Sequence, residues 1–203
     1  MSEVILSLST DTGAGFGPRF QWHSEPESWT IHPEARSLVI RTSRPSDFWQ
    51  RTHYGFQADD GHFLWTPIEH DFQMTVDVRV TPLHQYDQAG LMVRISADCW
   101  IKTSVEFEDG LVSRLGCVVT NRGYSDWSTQ DVPATVTGFA LRITRQSADY
   151  LVEAQLPGAA WSQLRMTHLD HGAATAAHCG VYACSPKEPG FTAEFHNFGL
   201  CPR

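Results

Sequence analysis

The sequence predicts an all-β protein, and three observations lead to that prediction. Short segments rich in β-branched and aromatic residues recur roughly every 8–12 residues along the 203-residue chain. Turn signals built from Gly, Pro, Asn and Asp separate these segments. Helical periodicity is nearly absent, and the best helix candidate, residues 170–177, is short enough to be a loop or a single turn. About a dozen short strands of this kind favour a β-sandwich or jelly roll, and this length fits one domain over residues 1–203.

The first part of the chain predicts short strands around an aromatic cluster. Residues 1–15 are small and polar, and we expect a loosely held arm or a short first strand there. Residues 47–56 gather aromatic side chains around Gly55, and Asp-Asp-Gly-His at 59–62 is a hairpin turn signal. Strands are predicted at residues 20–31 (broken by a turn at 25–28), 37–42, 62–67 and 71–80.

The central segment, residues 87–128, places polar and aromatic side chains on one face of a predicted sheet. Residues 87–96 and 99–107 alternate between two faces, and a turn at 96–98 joins them as a hairpin. Ala89, Leu91 and Val93 then face the core. The opposite face carries Gln88, Met92, Arg94, Trp100, Lys102 and Glu106. Residues 111–120 are predicted to be the next strand, and residues 121–128 a loop that ends beside this face. Further strands are predicted at 138–145, 149–156, 163–168, 178–184 and 191–200.

Composition excludes several classes of partner. The formal net charge of −8 argues against nucleic acid and against an anionic membrane surface. No apolar run approaches the roughly 20 residues of a membrane span, and the N-terminus lacks the pattern of a signal peptide. Five cysteines, an odd number without a C-x-x-C motif, favour reduced thiols and a cytoplasmic protein.

Four blocks of residues stand out by their order and spacing. They are Asp47-Phe48-Trp49, Asp87-Gln88-Ala89-Gly90-Leu91, Trp100-Ile101-Lys102 with Glu106, and Val118-Val119-Thr120-Asn121 followed by Ser125-Asp126-Trp127-Ser128. Together they resemble the regulation-of-enolase family, long described as a domain of unknown function, over roughly residue 16 to the C-terminus.

The resemblance implies a concanavalin A-like lectin/glucanase fold, a β-sandwich (jelly roll) of two curved antiparallel sheets. It implies a carbohydrate-type ligand on the concave face and no particular reaction. Cys117 departs from the Ser expected there in the family, and we expect its side chain to point away from that face.

Glu106 is the acid of most interest on the polar face. A retaining glycosidase needs two carboxylates about 5–5.5 Å apart. Residue 104, two positions earlier, is Ser, and Glu108, two positions later, begins a turn. The Glu-x-Asp-x-x-Glu pattern of the glucanases in this superfamily also lacks its last acid here. Glu106 is therefore favoured as a partner of Lys102 or as a ligand acceptor, and no catalytic residue is assigned.

Two interpretations of the cations on this face stay open. Lys102 and Arg94 could clamp the carboxylate or phosphate of an acidic sugar or sugar phosphate. Lys102 could equally form an ion pair with Glu106, which shares its face of the sheet.

Aromatic and loop residues complete the predicted site. Trp100 is the favoured stacking platform because its neighbours on the face are polar, whereas Trp22, Trp29, Trp65 and Trp161 are expected to pack. Asp126 could instead satisfy backbone N–H groups of its own loop. The ten His are scattered without metal-ligand spacing, so no metal or cofactor is predicted. The predicted ligand-binding set is Trp49, His53, Tyr54, Gln88, Arg94, Trp100, Lys102, Glu106, Asn121, Tyr124, Asp126 and Trp127.

Three functional hypotheses follow. The favoured one is a module that binds a carbohydrate or a sugar-derived small molecule. The alternative is an enzyme of the glycosidase or lyase class with Glu106 as acid/base. The third, which rests on the family name alone, is a regulatory partner of a metabolic enzyme.

Overall fold

A computed structural model describes residues 6–7, 20–172 and 175–203, and these residues contain seventeen strands and no helix. The all-β prediction is therefore confirmed. Within the same ranges no helix is long and apolar enough to cross a membrane. The strands are β1 Leu6–Ser7, β2 Gln21–His23, β3 Ser28–His32, β4 Ser37–Arg41, β5 Phe48–Gln50, β6 Gln57–Asp59, β7 His62–Ile68, β8 Phe72–Thr81, β9 Gln88–Ser96, β10 Cys99–Phe107, β11 Val112–Asn121, β12 Tyr124–Pro133, β13 Gly138–Gln146, β14 Asp149–Gln155, β15 Ser162–His168, β16 Ala177–Cys184 and β17 Thr192–Pro202.

Two large antiparallel sheets and one small hairpin make up the described structure. The eight-stranded sheet has the order β15-β14-β13-β8-β17-β4-β3, and β1 also pairs with β17. The seven-stranded sheet has the order β12-β11-β10-β9-β16-β7-β2. Strands β5 and β6 pair only with each other. This covering hairpin, residues 48–59, is named for its position over the seven-stranded sheet, described below.

The main core lies between the two large sheets, and strict alternation explains how each strand contributes to it. In β9 the buried core residues are Ala89, Leu91 and Val93, and in β8 they include Phe72 and Met74. Cys117 also belongs to this core, so its side chain points away from the opposite face as expected. A second buried cluster, described below, lies on the outer face of the seven-stranded sheet.

Two local predictions were wrong. Residues 121–128 were expected to form a loop, but only Arg122 and Gly123 form the turn, and β12 continues as the edge strand. Residues 124–133 form an edge strand whose side chains are largely exposed and polar. Because few of them are buried, the sequence lacks the alternation of apolar and polar residues that would have predicted a strand. The turn at 59–62 does not join a hairpin, because β6 pairs with β5 whereas β7 belongs to the seven-stranded sheet. Of the predicted arm at residues 1–15, only Leu6–Ser7 lie within the described residues.

Close approach of two backbones explains one glycine in the seven-stranded sheet. A Cβ at Gly180 would lie 1.9 Å from the carbonyl oxygen of Leu64 on the neighbouring strand. At Gly138, in β13, a Cβ would meet nothing within 4 Å. The first position therefore excludes any side chain, whereas the second tolerates a methyl group.

We expect Gly180→Ala to lower the free energy of unfolding by about 2–3 kcal/mol, because β16 and β7 must move apart to admit the methyl group. Gly138→Ala is the matched control and should change it by less than about 0.5 kcal/mol. Urea denaturation followed by tryptophan fluorescence measures both. Equal effects of the two substitutions would contradict the described packing.

Candidate functional site

The covering hairpin and the outer face of the seven-stranded sheet enclose a second cluster of buried residues. Phe48 of the hairpin is fully buried and packs edge-on against Trp100 of β10 and Tyr182 of β16. The whole buried cluster consists of Phe48, Trp49, Phe63, Met92, Trp100, Val118, Tyr182 and Cys184. Phe48 and Trp49 thus form the underside of a cover over the sheet.

Polar contacts attach the covering hairpin, with Asp47 just before it, to the sheet at several points. Lys102 Nζ donates to Asp47 Oδ1 at 3.0 Å. Arg94 binds both carboxylate oxygens of Asp59, with its Nη2 at 2.6 Å from Oδ2. The backbone N–H of Gln50 donates to the hydroxyl of Ser125 on the edge strand β12. These contacts lie at both ends of the segment and at the last residue of β5, so they hold the hairpin against the sheet.

A cavity of about 530 Å³ remains between the covering hairpin, the sheet and two flanking loops. Five aromatic rings and five ionisable groups take part in its lining, a mixture typical of sites for small organic ligands. The aromatic residues are Trp49, Tyr54, Phe56, Tyr86 and Trp127. The ionisable residues are Asp47, Asp60, Lys102, Glu106 and Lys187, and Gln88 and Ser46 add further polar atoms.

A chain of hydrogen bonds sets the orientation of Glu106 in this cavity. The Tyr182 hydroxyl donates to Gln88 Oε1 at 3.1 Å, and Gln88 Nε2 donates to Glu106 Oε2 at 2.6 Å. The Gln88 amide is therefore fixed, because each of its ends meets a defined partner. Glu106 Oε1 has no hydrogen-bond partner among the described residues, so it is available to a ligand.

Burial controls the charge of Glu106. Removal from water raises the pKa of Glu106 to about 8, and the positive charge of Lys102 offsets this rise only in part. Glu106 is then mainly neutral at pH 7 and can donate a hydrogen bond. Burial by itself would lower the pKa of Lys102, but the neighbouring Asp47, Cys184 and Glu106 together outweigh that effect, and the pKa is raised. Lys102 therefore stays charged beside Asp47.

The rim of the cavity presents exposed aromatic rings. The Tyr54 side chain stacks on Phe56 and also contacts Trp49, and it is 58% exposed. Tyr86 holds a left-handed backbone conformation with φ of 74°, which is unusual for a bulky residue. The Tyr86 ring lies under the Lys187 ammonium, 5.3 Å from the ring centroid. Strained backbone of this kind often places a side chain at a functional site.

One buried polar atom of the cavity lining also has no partner. Ser46 is 4% exposed, and its hydroxyl Oγ makes no hydrogen bond among the described residues. An unsatisfied buried hydroxyl is costly, so a ligand or water that reaches Ser46 would be stabilised there.

Comparison with known proteins places this chain in a family. The model of the family described as "Protein of unknown function (DUF1349)" matches residues 22–202. The chain belongs to this family. A Saccharomyces cerevisiae protein named "Regulation of enolase protein 1" is 34% identical over 201 residues, which cover 97% of this chain and 94% of that protein. The resemblance inferred from the four blocks is thereby confirmed.

Solved structures similar to this DUF1349 chain confirm the jelly-roll sandwich. A functionally unknown Saccharomyces cerevisiae protein has a TM-score of 0.82 and 30% identity, with coverage of 91% of this chain and 97% of that one. Bacteroides ovatus Xyloglucan PUL GH43B gives a TM-score of 0.74 at 16% identity, covering all of this chain and 40% of that one. The carbohydrate binding module CBM66 from Bacillus subtilis gives 0.54 at 13% identity, covering 91% and 97%. The last two show a shared fold.

Six of the twelve predicted ligand-binding residues line the cavity of this DUF1349 protein, and six lie outside it. Those in the lining are Trp49, Tyr54, Gln88, Lys102, Glu106 and Trp127. Those outside are His53, Arg94, Trp100, Asn121, Tyr124 and Asp126. Which of the twelve bind a ligand stays a prediction.

Trp100 needs the largest correction, because its ring has no exposed surface. The covering hairpin lies over it, and its Nε1 donates to the carbonyl of Ala97. Trp100 is therefore a packing residue in this structure. Arg94 is held by Asp59, so it forms no anion clamp with Lys102, and Lys102 pairs with Asp47 instead of Glu106.

The remaining outside residues have structural contacts. Asn121 bonds to the backbone of His168 and Asp170, and Asp126 pairs with Arg165 of β15. His53 packs edge-on against Tyr54, and Tyr124 lies beside the Arg51 guanidinium. Asp126 thus does not serve its own backbone as the alternative interpretation proposed.

Several cavity residues were missed, notably Ser46, Asp47, Asp60 and Tyr86. Asp47 opens the Asp47-Phe48-Trp49 block, which was the one available signal. Alternation identifies the face of a strand but gives no information about a segment 55 positions away that folds over it.

The raised pKa of Glu106 predicts how stability depends on pH. The folded protein holds the Glu106 proton more tightly than the unfolded chain, whose pKa is near 4.5. This stabilisation is complete below the unfolded value and is lost as pH rises through about 8. Glu106→Gln resembles the neutral acid and cannot ionise, so this variant should not lose stability as the pH rises through that range.

We therefore expect wild type to lose about 1–2 kcal/mol relative to Glu106→Gln between pH 5 and 9, less than a fully enclosed carboxyl would because one side opens to the cavity. Chemical denaturation of both proteins at several pH values measures the difference. Parallel stability curves for the two proteins would show that Glu106 is already ionised at pH 5.

Proposed function

We propose that this DUF1349 protein binds a carbohydrate-type or sugar-derived small ligand in the cavity beneath the covering hairpin. One observation carries the proposal. Aromatic rings surround a polar floor in which Glu106 Oε1 has no hydrogen-bond partner among the residues that the structure describes. A sugar ring has an apolar C–H face and a rim of hydroxyls, so it matches both parts of this surface.

The polar floor suits hydroxyl groups in particular. Neutral Glu106 donates a hydrogen bond from its carboxylic acid, whereas the Lys102 ammonium has donors beyond the one used by Asp47. Hydroxyls both donate and accept, so they can satisfy all of these groups in turn. The fold shared with a carbohydrate binding module adds support of a general kind.

All five cysteines are free, and four are buried, which supports a reducing compartment such as the cytoplasm.

Tyr54 and Tyr124 offer a matched pair of variants. Both rings are strongly exposed, at 58% and 61%, but only Tyr54 lines the cavity. We expect Tyr54→Ala to weaken the affinity for a bound sugar about tenfold through the loss of ring stacking, whereas Tyr124→Ala leaves it unchanged.

The measurement is ligand-detected NMR, followed by titration calorimetry, on a panel of methyl glycosides of glucose, galactose, xylose and arabinose with their matched uronates and 6-phosphates where these exist. If no member binds, the proposed function is wrong. If both tyrosine variants weaken binding equally, the ligand lies outside this cavity.

A second candidate function, an enzyme of the glycosidase or lyase class, is favoured by one specific observation. The sequence supplied no second acid beside Glu106, but the structure brings Asp47 and Asp60 into the same cavity from another segment. A neutral Glu106 near pH 7 has the charge state of a general acid, and an ionised carboxylate in the same site could support a cationic transition state.

Turnover separates this candidate from simple binding. If the protein is an enzyme, incubation with aryl glycosides and oligosaccharides, including acidic ones, yields product, and Glu106→Gln abolishes it by at least about a hundredfold while retaining ligand binding. Product formation that survives in Glu106→Gln, or no product at all, removes this candidate and leaves the binding function intact.

A further inference from the structure

The five ionisable groups of the cavity balance one another in charge. Asp47 and Asp60 carry formal negative charges, Lys102 and Lys187 carry formal positive charges, and burial raises the pKa of Glu106 to about 8, which favours its neutral form. The sum over the cavity lining is therefore close to zero. Ionisation of Glu106 would make it negative. A cavity built to hold an anionic ligand would instead carry excess positive charge.

The buried cation is already compensated by the protein itself. The Lys102 side chain is 4% exposed, and its ammonium lies 3.0 Å from the Asp47 carboxylate. The rings of Trp100 and Tyr182 also lie within 6 Å of the ammonium, at 5.9 and 5.8 Å. A ligand anion at this position would have to compete with Asp47 for the same charge.

The remaining cations give an anion little help. Arg94, the other cation of the polar face, is bound to Asp59 by two hydrogen bonds and does not line the cavity. Lys187 lies at the exposed rim, where solvent and salt screen its charge. A carboxylate on the ligand would lose its hydration without a free positive partner in return.

We propose that the cavity selects uncharged polyhydroxy ligands and rejects their acidic counterparts, because the Lys102–Asp47 pair leaves no uncompensated buried cation among the described residues that line it. This inference rests on the proposed function and names the class of ligand. It also decides against the acidic sugar or sugar phosphate that the Lys102 and Arg94 pattern suggested.

The test compares neutral and acidic members of matched pairs, namely the methyl glycosides of glucose and galactose with the corresponding methyl uronides. For wild type we expect each neutral member to bind at least about tenfold more tightly than its uronide. If the uronide binds equally well or better, ligand binding stands but this inference is wrong. If neither member of any pair binds, the proposed function and the inference both fail.

Substitutions at Asp47 and Lys102 test whether their ion pair causes the preference for neutral ligands. Asp47→Asn keeps an oxygen acceptor for Lys102 but removes the negative charge, so the preference should shift toward the uronide by at least about tenfold. The double variant Asp47→Asn with Lys102→Met removes both charges and should restore the preference for the neutral member. Asp60→Asn is the matched control because it removes one carboxylate of the lining without freeing a buried cation.

Asp60→Asn should leave the neutral-to-acidic ratio within about threefold of wild type. An equal shift in Asp60→Asn and Asp47→Asn would overturn the assignment to the ion pair. If Asp47→Asn does not fold, the neutral-to-acidic affinity ratios of wild type and of the double variant still test the inference. A double variant that binds the uronide more tightly than the neutral member would contradict the inference.

Discussion

The Lys102–Asp47 ion pair is the interaction on which the candidate site depends. It joins β10 of the seven-stranded sheet to the start of the covering hairpin across 55 positions of sequence. A buried pair of this kind is strongly destabilised when one partner is lost, by about 3–5 kcal/mol in general. The pair therefore helps to hold Phe48 over Trp100. On one side of the pair lies the buried cluster around these two rings, and on the other side lies the cavity.

The same pair also determines the chemistry of the cavity. Burial is the largest influence on the pKa of Glu106 and raises it; the Lys102 charge lowers this pKa, and the Asp47 charge works against that lowering. Gln88 then fixes one oxygen of Glu106, and the other has no hydrogen-bond partner in the described part of the chain. A neutral acid, a fixed amide and a compensated ammonium form a floor rich in hydrogen-bonding groups and without net charge. Such a floor is suited to hydroxyls.

The fold was predictable from sequence because alternation is a local signal. Each strand with a buried face, such as Phe72–Thr81, shows the pattern directly, whereas the polar edge strand Tyr124–Pro133 does not. The site was predictable only in part. Gln88, Lys102 and Glu106 follow from the alternation of β9 and β10. The burial of Trp100 and the approach of Asp47 depend on a long-range contact with the covering hairpin, and periodicity contains no information about such contacts.

The central claim is that the cavity beneath the covering hairpin holds the ligand. The most direct measurement is a crystal structure of the protein soaked with the methyl glycoside of highest affinity. We expect electron density for one sugar in the cavity, with its apolar face on Tyr54 or Trp127 and its hydroxyls within hydrogen-bond distance of Glu106 and Gln88. Well-defined density on the outer face of the eight-stranded sheet or at a sheet edge, with the cavity holding only water, would contradict it.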